Sequence, residues 1–351
     1  MSYNHNFDML ISEFDFALPE HLIAQEPLQK RENSRMLVLD RAEKTIADAH
    51  FFDFTKFIKR GDVIVLNNTK GFPARLFGET ETGAKVEIFL VEKKEKEKWE
   101  TLARPAKRLK IGKKIVFSEN LTASVSDRTE EGRVVLEFSA IGDFDEILDE
   151  IGKTPLPPYI RRDGDAFDKD RERYQTVFAR NRGAIAAPTA GLHFTPQILE
   201  AIKNIGANIC EITLHVGYGT FEPVRVEDLT EHKVLPESYE IPIETAEILN
   251  TAKAENRRII AIGTTTTRCL ENSINKNGKF MAENSKAELT ITPGYKFKAI
   301  SGILTNFHLP KSSLLVLVST FSGHEFIMNA YARAVASEYR FYSYGDCMLI
   351  L

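Results

Sequence analysis

Cysteine is scarce in this chain, and its spacing argues against two classes of protein. The three cysteines, Cys210, Cys269 and Cys347, lie far apart, and no Cys-x-x-Cys pair occurs. We therefore expect neither a disulfide scaffold nor a zinc ribbon, and reduced thiols fit a cytoplasmic location. The eight histidines show no metal-ligand spacing, so we also expect no catalytic metal.

Long apolar runs are missing as well. The longest candidate, Leu314 to Phe321, is strand-sized, far below the roughly 20 residues that a membrane helix needs. The first residues, MSYNHNFDMLISEFDF, carry acids and no basic segment, so no secretory signal and no membrane partner are expected.

The sequence also lacks the common glycine-rich and catalytic motifs. Gly217 and Gly219 in HVGYGT are not followed by the third glycine of a dinucleotide-type or methyltransferase-type turn. Walker lysine, His-Glu-x-x-His and Gly-x-Ser-x-Gly motifs do not occur either. The common nucleotide-binding, metalloprotease and serine-hydrolase chemistries are therefore not indicated.

What is present is typical of a globular enzyme of two domains, with 351 residues, of which 43% are hydrophobic and 27% charged. The net charge of −4 argues against non-specific coating of nucleic acid, but a local basic face remains open. The acid-free segment RPAKRLKIGKK carries Arg104, Lys107, Arg108, Lys110, Lys113 and Lys114. A second, mixed cluster contains Arg161, Arg162, Arg171, Arg173, Arg180 and Arg182. By charge alone, a solvated surface is the favoured interpretation of both clusters, and a face that binds nucleic acid is the alternative.

The chain shows two different patterns of predicted secondary structure. Short alternating segments follow one another between residues 73 and 152, namely Lys85 to Val91, Trp99 to Ala103, Lys114 to Phe117, Leu121 to Val125 and Arg133 to Phe138. Such segments predict a small antiparallel barrel or sandwich. We therefore predict an α/β fold. A mixed or parallel sheet domain formed by 1–72 and 153–351 carries an inserted antiparallel β-barrel domain at 73–152.

The run from Gly183 to Val224 predicts one βαβ unit. Ala184 to Ala187 has the pattern of a first strand, and Asn208 to His215 that of a second, parallel strand. Thr195, Pro196 and Gly206 mark the cap, first position and stop of the helix between them. His193 and His215 then lie at strand ends, where ligand sites of parallel sheets form.

Further along, the pattern predicts a helix at Glu244 to Ala254, a strand at Arg258 to Ile262, a helix from about Arg268 to Ile274, a strand at Lys311 to Thr320 and a helix at Gly323 to Tyr339.

The turn AIGTTTTRCLE is a candidate ligand-binding segment. Its free N–H groups and hydroxyls favour binding of an anionic or ribose-like group, and Arg268 could form a forked contact with a carboxylate. Plain capping by threonine is the alternative.

Polar loop residues give the candidate chemistry. The four histidines in loop-like settings are His193, His215, His232 and His308, which together favour acid–base work over purely structural roles. Asn306 and His308 precede an apolar run at a possible domain crevice. Near the end of the chain, Tyr339, Tyr342, Tyr344 and Asp346 are either aromatic core or the lining of a base- or sulfonium-binding pocket.

Long phrases across nearly the whole chain resemble one family, the S-adenosylmethionine:tRNA ribosyltransferase-isomerases of queuosine biosynthesis. They include FDFALPEHLIAQEP, GDVIVLNNTKGFPARL, GAIAAPTAGLHFT, ITLHVGYGTFEPV, RRIIAIGTTTTRCLE, TNFHLPKSSLLVLVS and YRFYSYGDCMLIL, in the family's order. The chain departs from the family pattern at Leu235, where a second histidine usually follows His232, whereas Glu237 matches the next acidic position.

The resemblance implies an α/β domain with a β-barrel domain. It also implies a tRNA with 7-aminomethyl-7-deazaguanine at the wobble position as acceptor. S-adenosylmethionine is then consumed as ribosyl donor, without a metal. The ribosyl part rearranges, which gives epoxyqueuosine tRNA and releases adenine and methionine. A monomer is expected.

Within that resemblance, we assign roles by residue. The acid–base candidates are His193, His215, His232 and Glu237. The substrate-binding candidates are Thr189, Gly191, Thr264, Thr265, Arg268, Asn306, His308, Tyr344 and Asp346, with Arg268 on the methionine carboxylate. The tRNA-binding candidates are Arg104, Lys107, Arg108 and Lys110. Methyl transfer to tRNA and a non-catalytic RNA-binding module are the two rival functions. The missing glycine-rich turn argues against the first, and the acidic net charge against the second.

Overall fold

The computed structural model describes residues 10–130, 132–162, 167–217, 219 and 224–351, and of residues 167–169 it describes the backbone alone. Within these ranges, no helix is both long enough and apolar enough to cross a bilayer.

The larger part of the fold is a mixed sheet of nine strands. Their order across the sheet is β15 (Glu283–Ala287), β13 (Glu237–Ile241), β12 (Asn208–Leu214), β3 (Val63–Asn67), β14 (Ile259–Ile262), β16 (Gly302–Asn306), β17 (Cys347–Ile350), β1 (Arg35–Asp40) and β2 (Thr45–His50). The four neighbours β12, β3, β14 and β16 run parallel. Their carboxyl ends therefore meet at one edge of the sheet, and this edge positions the site.

Both faces of this sheet are covered. Along β3, Val63 and Val65 pack into one apolar cluster, and Ile64 and Leu66 pack into another on the opposite face. A strand buried on both sides has an unbroken apolar sequence, which is why Val63–Asn67 shows no polar alternation.

A closed six-stranded antiparallel barrel forms the smaller part. Its strands are β5 (Arg75–Thr80), β6 (Lys85–Lys93), β7 (Lys98–Arg104), β8 (Lys114–Ser118), β9 (Leu121–Arg128) and β10 (Val134–Ala140), joined in the order β10-β7-β6-β5-β8-β9. Inward positions alternate with outward ones: along β9, Leu121, Ala123 and Val125 are buried. The predicted fold class, an α/β fold with a small inserted antiparallel barrel, is confirmed; β5 was not predicted.

The described helices complete the fold. They are α1 (Phe144–Ile151), α2 (Phe167–Arg173), α3 (Pro196–Ile205), α4 (Ile243–Ala254), α5 (Thr264–Asn277), α6 (Ser313–Ser322) and α7 (His324–Ala336). The ends of α3 follow the prediction. Thr195 caps it by accepting a hydrogen bond from the Ile198 N–H, and Gly206 ends it in the left-handed region at φ +85°.

The predicted βαβ unit is wrong in its pairing. The first strand is also misplaced: β11 spans Asn181–Ala184 rather than Ala184 to Ala187. It pairs in parallel with β4 (Thr69–Gly71) in a separate two-stranded sheet, while β12 pairs with β3. Beyond Ala184 the chain leaves this small sheet, and the Ile185 N–H donates to the Val216 carbonyl. The two strands therefore do not lie side by side in one sheet.

The predicted strand at Lys311 to Thr320 is also wrong, because most of this segment forms α6. Ser312 caps the helix by accepting from the Leu315 N–H, and the helix ends at Gly323. Buried side chains surround the helix on most sides, so its sequence shows no helical period. Helix α5 also differs, since it begins at Thr264 rather than near Arg268.

Candidate active site

A cleft with an empty volume of about 880 Å³, partly open to solvent, lies at the carboxyl edge of the parallel strands. Residues that follow β14 and β16 line it, among them Thr264, Thr265, Asn306 and His308. Thr189 also lines it, together with Tyr342 from the loop before β17. Ligands of open parallel sheets bind at this edge, so the cleft is the candidate site for a small substrate.

The N-terminus of α5 forms the floor of the cleft. Gly263 precedes the helix at φ +96°, a conformation that favours glycine, and gives no side-chain cap. Thr266 and Thr267 donate their hydroxyls to the carbonyls of Ile262 and Gly263. Among the described residues, the hydroxyls of Thr264 and Thr265 have no such partner, so these two remain available to a ligand beside free N–H groups.

Asn306 presents an acceptor to the same cleft. Its side-chain nitrogen donates to the Tyr342 carbonyl at 2.9 Å, which fixes the amide. Its Oδ1 is buried and makes no hydrogen bond of good geometry with the described residues, but the side chain of His193 lies close enough to interact with the Asn306 side chain by hydrogen bonding. Asn306 therefore connects the cleft to His193.

His308 is held rather than free. Its Nε2 lies 2.8 Å from the Thr305 hydroxyl, and its backbone N–H donates to the Tyr331 hydroxyl. Burial lowers the pKa of His308 to about 3, because the imidazolium cannot be solvated there. A neutral His308 therefore acts in the cleft as a hydrogen-bonding group.

His215 lies in a second cavity, the crevice between the sheet and the barrel. The crevice has an empty volume of about 1210 Å³, and Phe72, Trp99 and His215 are among its lining residues. The Nδ1 of His215 lies 2.8 Å from the Thr69 hydroxyl, which orients the ring. A Cβ on Gly183 would lie 2.6 Å from the ring, so only glycine permits this packing.

The cleft and the crevice meet. Val216 lines both cavities. Burial lowers the pKa of His215, and Glu240 opposes this shift. A neutral imidazole that lies one residue from the junction is placed to remove a proton from a molecule in either cavity.

Glu237 lines the crevice and forms a buried ion pair with Arg268, which is not among the described lining residues of the crevice or of the cleft. The Glu237 Oε2 accepts from the Arg268 Nη1 at 2.5 Å, and its Oε1 accepts from the Gly217 N–H at 3.0 Å. The Arg268 guanidinium also donates to the carbonyls of Leu289, Leu235 and Ala287. Arg268 is thus already engaged in the protein, and its role on the methionine carboxylate stays a prediction.

His193 and His232 are the other two histidines of interest. His193 is 4% exposed, with Nδ1 2.7 Å from the Ser34 hydroxyl, and burial lowers its pKa to about 4. It lines a separate small cavity, outside the cleft. The pKa of His232 is lowered by burial and by the nearby charge of Arg268, and its Nε2 is buried without a described partner.

Three further candidates are engaged in structural contacts. The Asp346 oxygens accept from the N–H groups of Arg35 and Arg340, and the Tyr344 hydroxyl donates to Asp170 at 2.5 Å. Gly191 permits close packing, because a Cβ there would lie 2.8 Å from Phe178. Their predicted roles in substrate binding remain untested predictions.

Sequence reasoning missed two tyrosines of the cleft. Tyr159 and Tyr174 line it, and the Tyr159 hydroxyl lies 2.7 Å from the Ser343 hydroxyl. Burial raises the pKa of Tyr159 to about 12, so its hydroxyl keeps its proton. Tyr159 lies in TPLPPYI, which has the composition of an extended connector and gives no signal of a site.

The basic segment of the barrel lies in the loop between β7 and β8. Arg104, Lys107, Arg108 and Lys110 are all exposed there. Arg128 holds the loop by donating to the carbonyls of Ala106 and Leu109. The cations are thus accessible to a large polyanion.

A metal site is not apparent in the ranges that the structure describes. No group of three or more His, Cys, Asp and Glu side chains is arranged there to hold a metal ion.

Comparison with known proteins identifies the family. A family model described as queuosine biosynthesis protein matches residues 11–350. Two relatives named S-adenosylmethionine:tRNA ribosyltransferase-isomerase, from Syntrophotalea carbinolica and Staphylococcus saprophyticus, are 48% and 49% identical over 98% of this chain and 100% of their own lengths. The crystal structure of an S-adenosylmethionine tRNA ribosyltransferase from Thermotoga maritima matches with a TM-score of 0.55 and 36% identity, covering 97% of this chain and 100% of that one. The chain therefore belongs to the queuosine biosynthesis protein family, whose members are enzymes that modify tRNA.

Proposed function

We propose that this enzyme transfers the ribosyl part of S-adenosylmethionine to a tRNA and isomerises it, and that the acceptor is 7-aminomethyl-7-deazaguanine at the wobble position. The observation that carries the proposal is the junction of the two cavities at Val216. A reaction of a small donor with a base on a large RNA needs two entrances that meet at the reacting atoms.

The donor occupies the cleft. Its carboxylate lies near the N-terminus of α5, where N–H groups and the hydroxyls of Thr264 and Thr265 favour an anion. The Asn306 side chain lines the same cleft, and its Oδ1 accepts from a donor N–H or O–H group in addition to its contact with His193. The apolar walls suit the adenine ring.

The acceptor base enters the crevice under the barrel. Phe72 and Trp99 line the crevice, but both are largely buried, and the cations of Arg182 and Lys93 lie over their rings. A base that has left its stack meets these cations and the ring of His215 there. Glu237 holds the backbone at Gly217 and thereby the wall of the crevice. The exposed cations between Arg104 and Lys110 contact phosphates of the anticodon stem-loop.

The chemistry requires a base and a proton donor. The sulfonium already acidifies the neighbouring ribose carbon, so a neutral histidine suffices to take the proton. His215 is our candidate for the base, because it is neutral, oriented by Thr69 and next to the junction. A group in the cleft must protonate adenine as it leaves. Tyr159 is our candidate, because it lines the cleft and its hydroxyl is protonated.

The remaining features are part of the proposal. We divide the chain into a catalytic domain of 1–72 and 153–351 and a barrel domain of 73–152, and we take the enzyme to be monomeric and cytoplasmic. Limited proteolysis would test the division. Stable fragments with ends near residues 73 and 152 are expected, and cleavage confined to the middle of the barrel would contradict it.

One experiment tests the reaction. The enzyme is incubated with S-adenosylmethionine and a tRNA that carries the aminomethyl base, and the nucleosides and small products are analysed by mass spectrometry. We expect epoxyqueuosine, with adenine and methionine released in equal amounts, and no release when the tRNA carries guanine. Formation of S-adenosylhomocysteine would instead support methyl transfer, and absence of any product would contradict the proposed function.

A further inference from the structure

A third cavity, near the cleft, is lined by two arginines, and no acidic residue is among its described lining residues. It has an empty volume of about 320 Å³, and its walls include Arg31, Arg173, Ser34 and His193. We call this space the arginine cavity. Ser343 lines it as well as the donor cleft. The two spaces are therefore separated by little more than one side chain.

The two guanidinium groups lie close enough to repel each other. Burial lowers the pKa of Arg31, and the charge of Arg173 lowers it further, while Glu172 and Glu32 act in the opposite direction. Neither arginine forms an ion pair within the described part of the chain. Their side-chain hydrogen bonds go to backbone carbonyls instead, from Arg31 to Gln175 and from Arg173 to Leu28 and Gln29.

Several other arginines of this protein are paired with carboxylates, whereas Arg41, like Arg31 and Arg173, donates only to backbone carbonyls in the described part of the chain. Arg162, Arg258 and Arg268 each meet a carboxylate that is largely buried. No acidic residue is among the described lining residues of the arginine cavity. Glu172 and Glu32 compensate the charge of Arg31 only in part, since its pKa is still lowered. An anion in the cavity would stabilise the two half-buried cations, and guanidinium groups fit phosphate oxygens in a forked geometry.

Two further residues near the arginine cavity, His193 and Arg340, influence its charge. His193 stays neutral there, since burial and the charges of Arg31 and Arg340 disfavour its imidazolium. Arg340 donates to the Glu26 carbonyl, and its Nη1 is buried without a described partner. Asp346 offsets part of the Arg340 charge, so the positive potential in the cavity comes mainly from Arg31 and Arg173.

We propose that the arginine cavity is a phosphate subsite, in which Arg31 and Arg173 hold one phosphodiester of the RNA strand next to the reacting nucleotide. The inference rests on the proposed function, because a tRNA supplies the phosphate. It differs from the contact at the barrel loop, which lies on the other domain. A phosphate held beside the cleft fixes the distance between the RNA strand and the donor.

The test uses Arg31→Gln and Arg173→Gln, singly and combined, in the full-length enzyme. Each lost charge-assisted contact should raise the KM for tRNA about tenfold, while the KM for S-adenosylmethionine stays within about twofold. The salt slope of log affinity for tRNA should become shallower by roughly 0.7 to 0.9 for the lost phosphate. Arg161→Gln is the matched control, since Arg161 is a neighbouring arginine with an 82% exposed side chain.

Because both arginines also bind backbone carbonyls, conservative variants separate structure from charge. Arg173→Lys keeps the charge and should retain most of the tRNA affinity. If Arg173→Lys loses as much as Arg173→Gln, or if the folded double variant binds tRNA with unchanged affinity and salt slope, the phosphate subsite is refuted.

A second measurement does not depend on the reaction. Inorganic phosphate is titrated into the enzyme and the proton resonances of the His193 ring are followed by NMR. Phosphate should shift them in the wild type and not in the double variant. A shift of equal size in both proteins, or in neither, would overturn the subsite even if the enzyme modifies tRNA. A positive result would stand even if the proposed reaction failed.

Discussion

The carboxylate of Glu237 lies 2.5 Å from the Arg268 guanidinium, and both side chains are buried, at 5% and 7% exposure. The two residues are brought together by the sheet, since Glu237 begins β13 and Arg268 lies in the second turn of α5. The pair connects the wall of the crevice to the helix whose N-terminus forms the floor of the cleft.

This pairing predicts that Arg268→Ala destabilises the protein. Removal of one partner leaves a buried charge uncompensated, so the free energy of unfolding should fall by about 3 to 5 kcal/mol. A double-mutant cycle with Glu237→Gln, followed by urea denaturation, measures the coupling. If Arg268 also holds the donor carboxylate, the KM for S-adenosylmethionine should rise in Arg268→Ala but not in Glu237→Gln. Additive effects on stability would contradict the ion pair, and an unchanged KM would contradict the donor contact.

His215 and Thr69 give a prediction about pH. Because burial lowers the pKa of His215, the neutral base is present at pH values above a midpoint that lies below 6.5. The rate constant should therefore fall as the pH drops through that midpoint. His215→Gln should lower kcat by roughly 10²- to 10⁴-fold and remove the acidic limb of the profile. Thr69→Val, which deletes the orienting hydroxyl, should lower kcat less and leave the limb in place. A limb that persists in His215→Gln would assign the base to another group.

His193 gives a prediction about stability in acid. Its pKa is about 4 in the folded protein, against an ordinary value of 6.5, so the unfolded chain binds more protons between these two pH values. The stabilisation from a neutral His193 is complete above pH 6.5 and is lost as the pH falls towards 4. The loss is on the order of 3 kcal/mol for this group.

The measurement compares the pH dependence of urea unfolding in the wild type and in His193→Gln. The slope between pH 6.5 and 4 should be smaller in the variant, whatever its absolute stability. His21→Gln is the control, since His21 is exposed and its removal should leave the slope unchanged. Equal slopes in the wild type and His193→Gln would show that other groups control the acid sensitivity.

The barrel strands β6 to β10 and the sheet strands β12 and β14 could be predicted because each has a clear sequence pattern, whereas β5 and β16 were not predicted. Leu121, Ala123 and Val125 alternate with half-buried residues, which is the period of a strand with one buried face. Helix α6 could not be predicted in this way. The residues from Leu315 to Val318 are all buried, so the sequence shows neither the helical repeat of about 3.6 residues nor the strand repeat of two. The valines in this segment favour a strand.

The candidate residues could be named from the sequence, but their contacts could not. The structure brings Thr264, Asn306 and His308 together in one cleft, and their roles there stay predictions. The contact of His193 with Ser34 joins residues 159 positions apart, and that of Glu237 with Arg268 joins residues 31 apart. Such pairs depend on the order of the strands across the sheet. That order cannot be predicted from local sequence patterns.

The basic loop of the barrel gives the last prediction. Lys107 and Arg108 are exposed at the end of a short 3₁₀ turn, Ala106–Arg108, which Arg128 fixes in place. The double variant Lys107→Glu/Arg108→Glu should bind tRNA more weakly, while the KM for S-adenosylmethionine stays nearly unchanged, because the loop does not line the cleft. The salt slope of log affinity should become shallower by roughly one unit for each lost phosphate contact.

A control variant with the same change of net charge shows whether the effect on tRNA binding is specific to the loop. Lys96→Glu/Lys203→Glu makes the same change of net charge at two exposed lysines, one in the β6–β7 hairpin at the opposite end of the barrel and one on α3. If the loss of affinity were an effect of net charge alone, both double variants would lose tRNA binding equally, since long-range repulsion does not depend on where the charge lies in detail. We expect the loop variant to lose far more. Equal losses, or unchanged binding in the loop variant, would reduce the loop to a solvated surface and leave Arg31 and Arg173 as the better candidates for RNA contact.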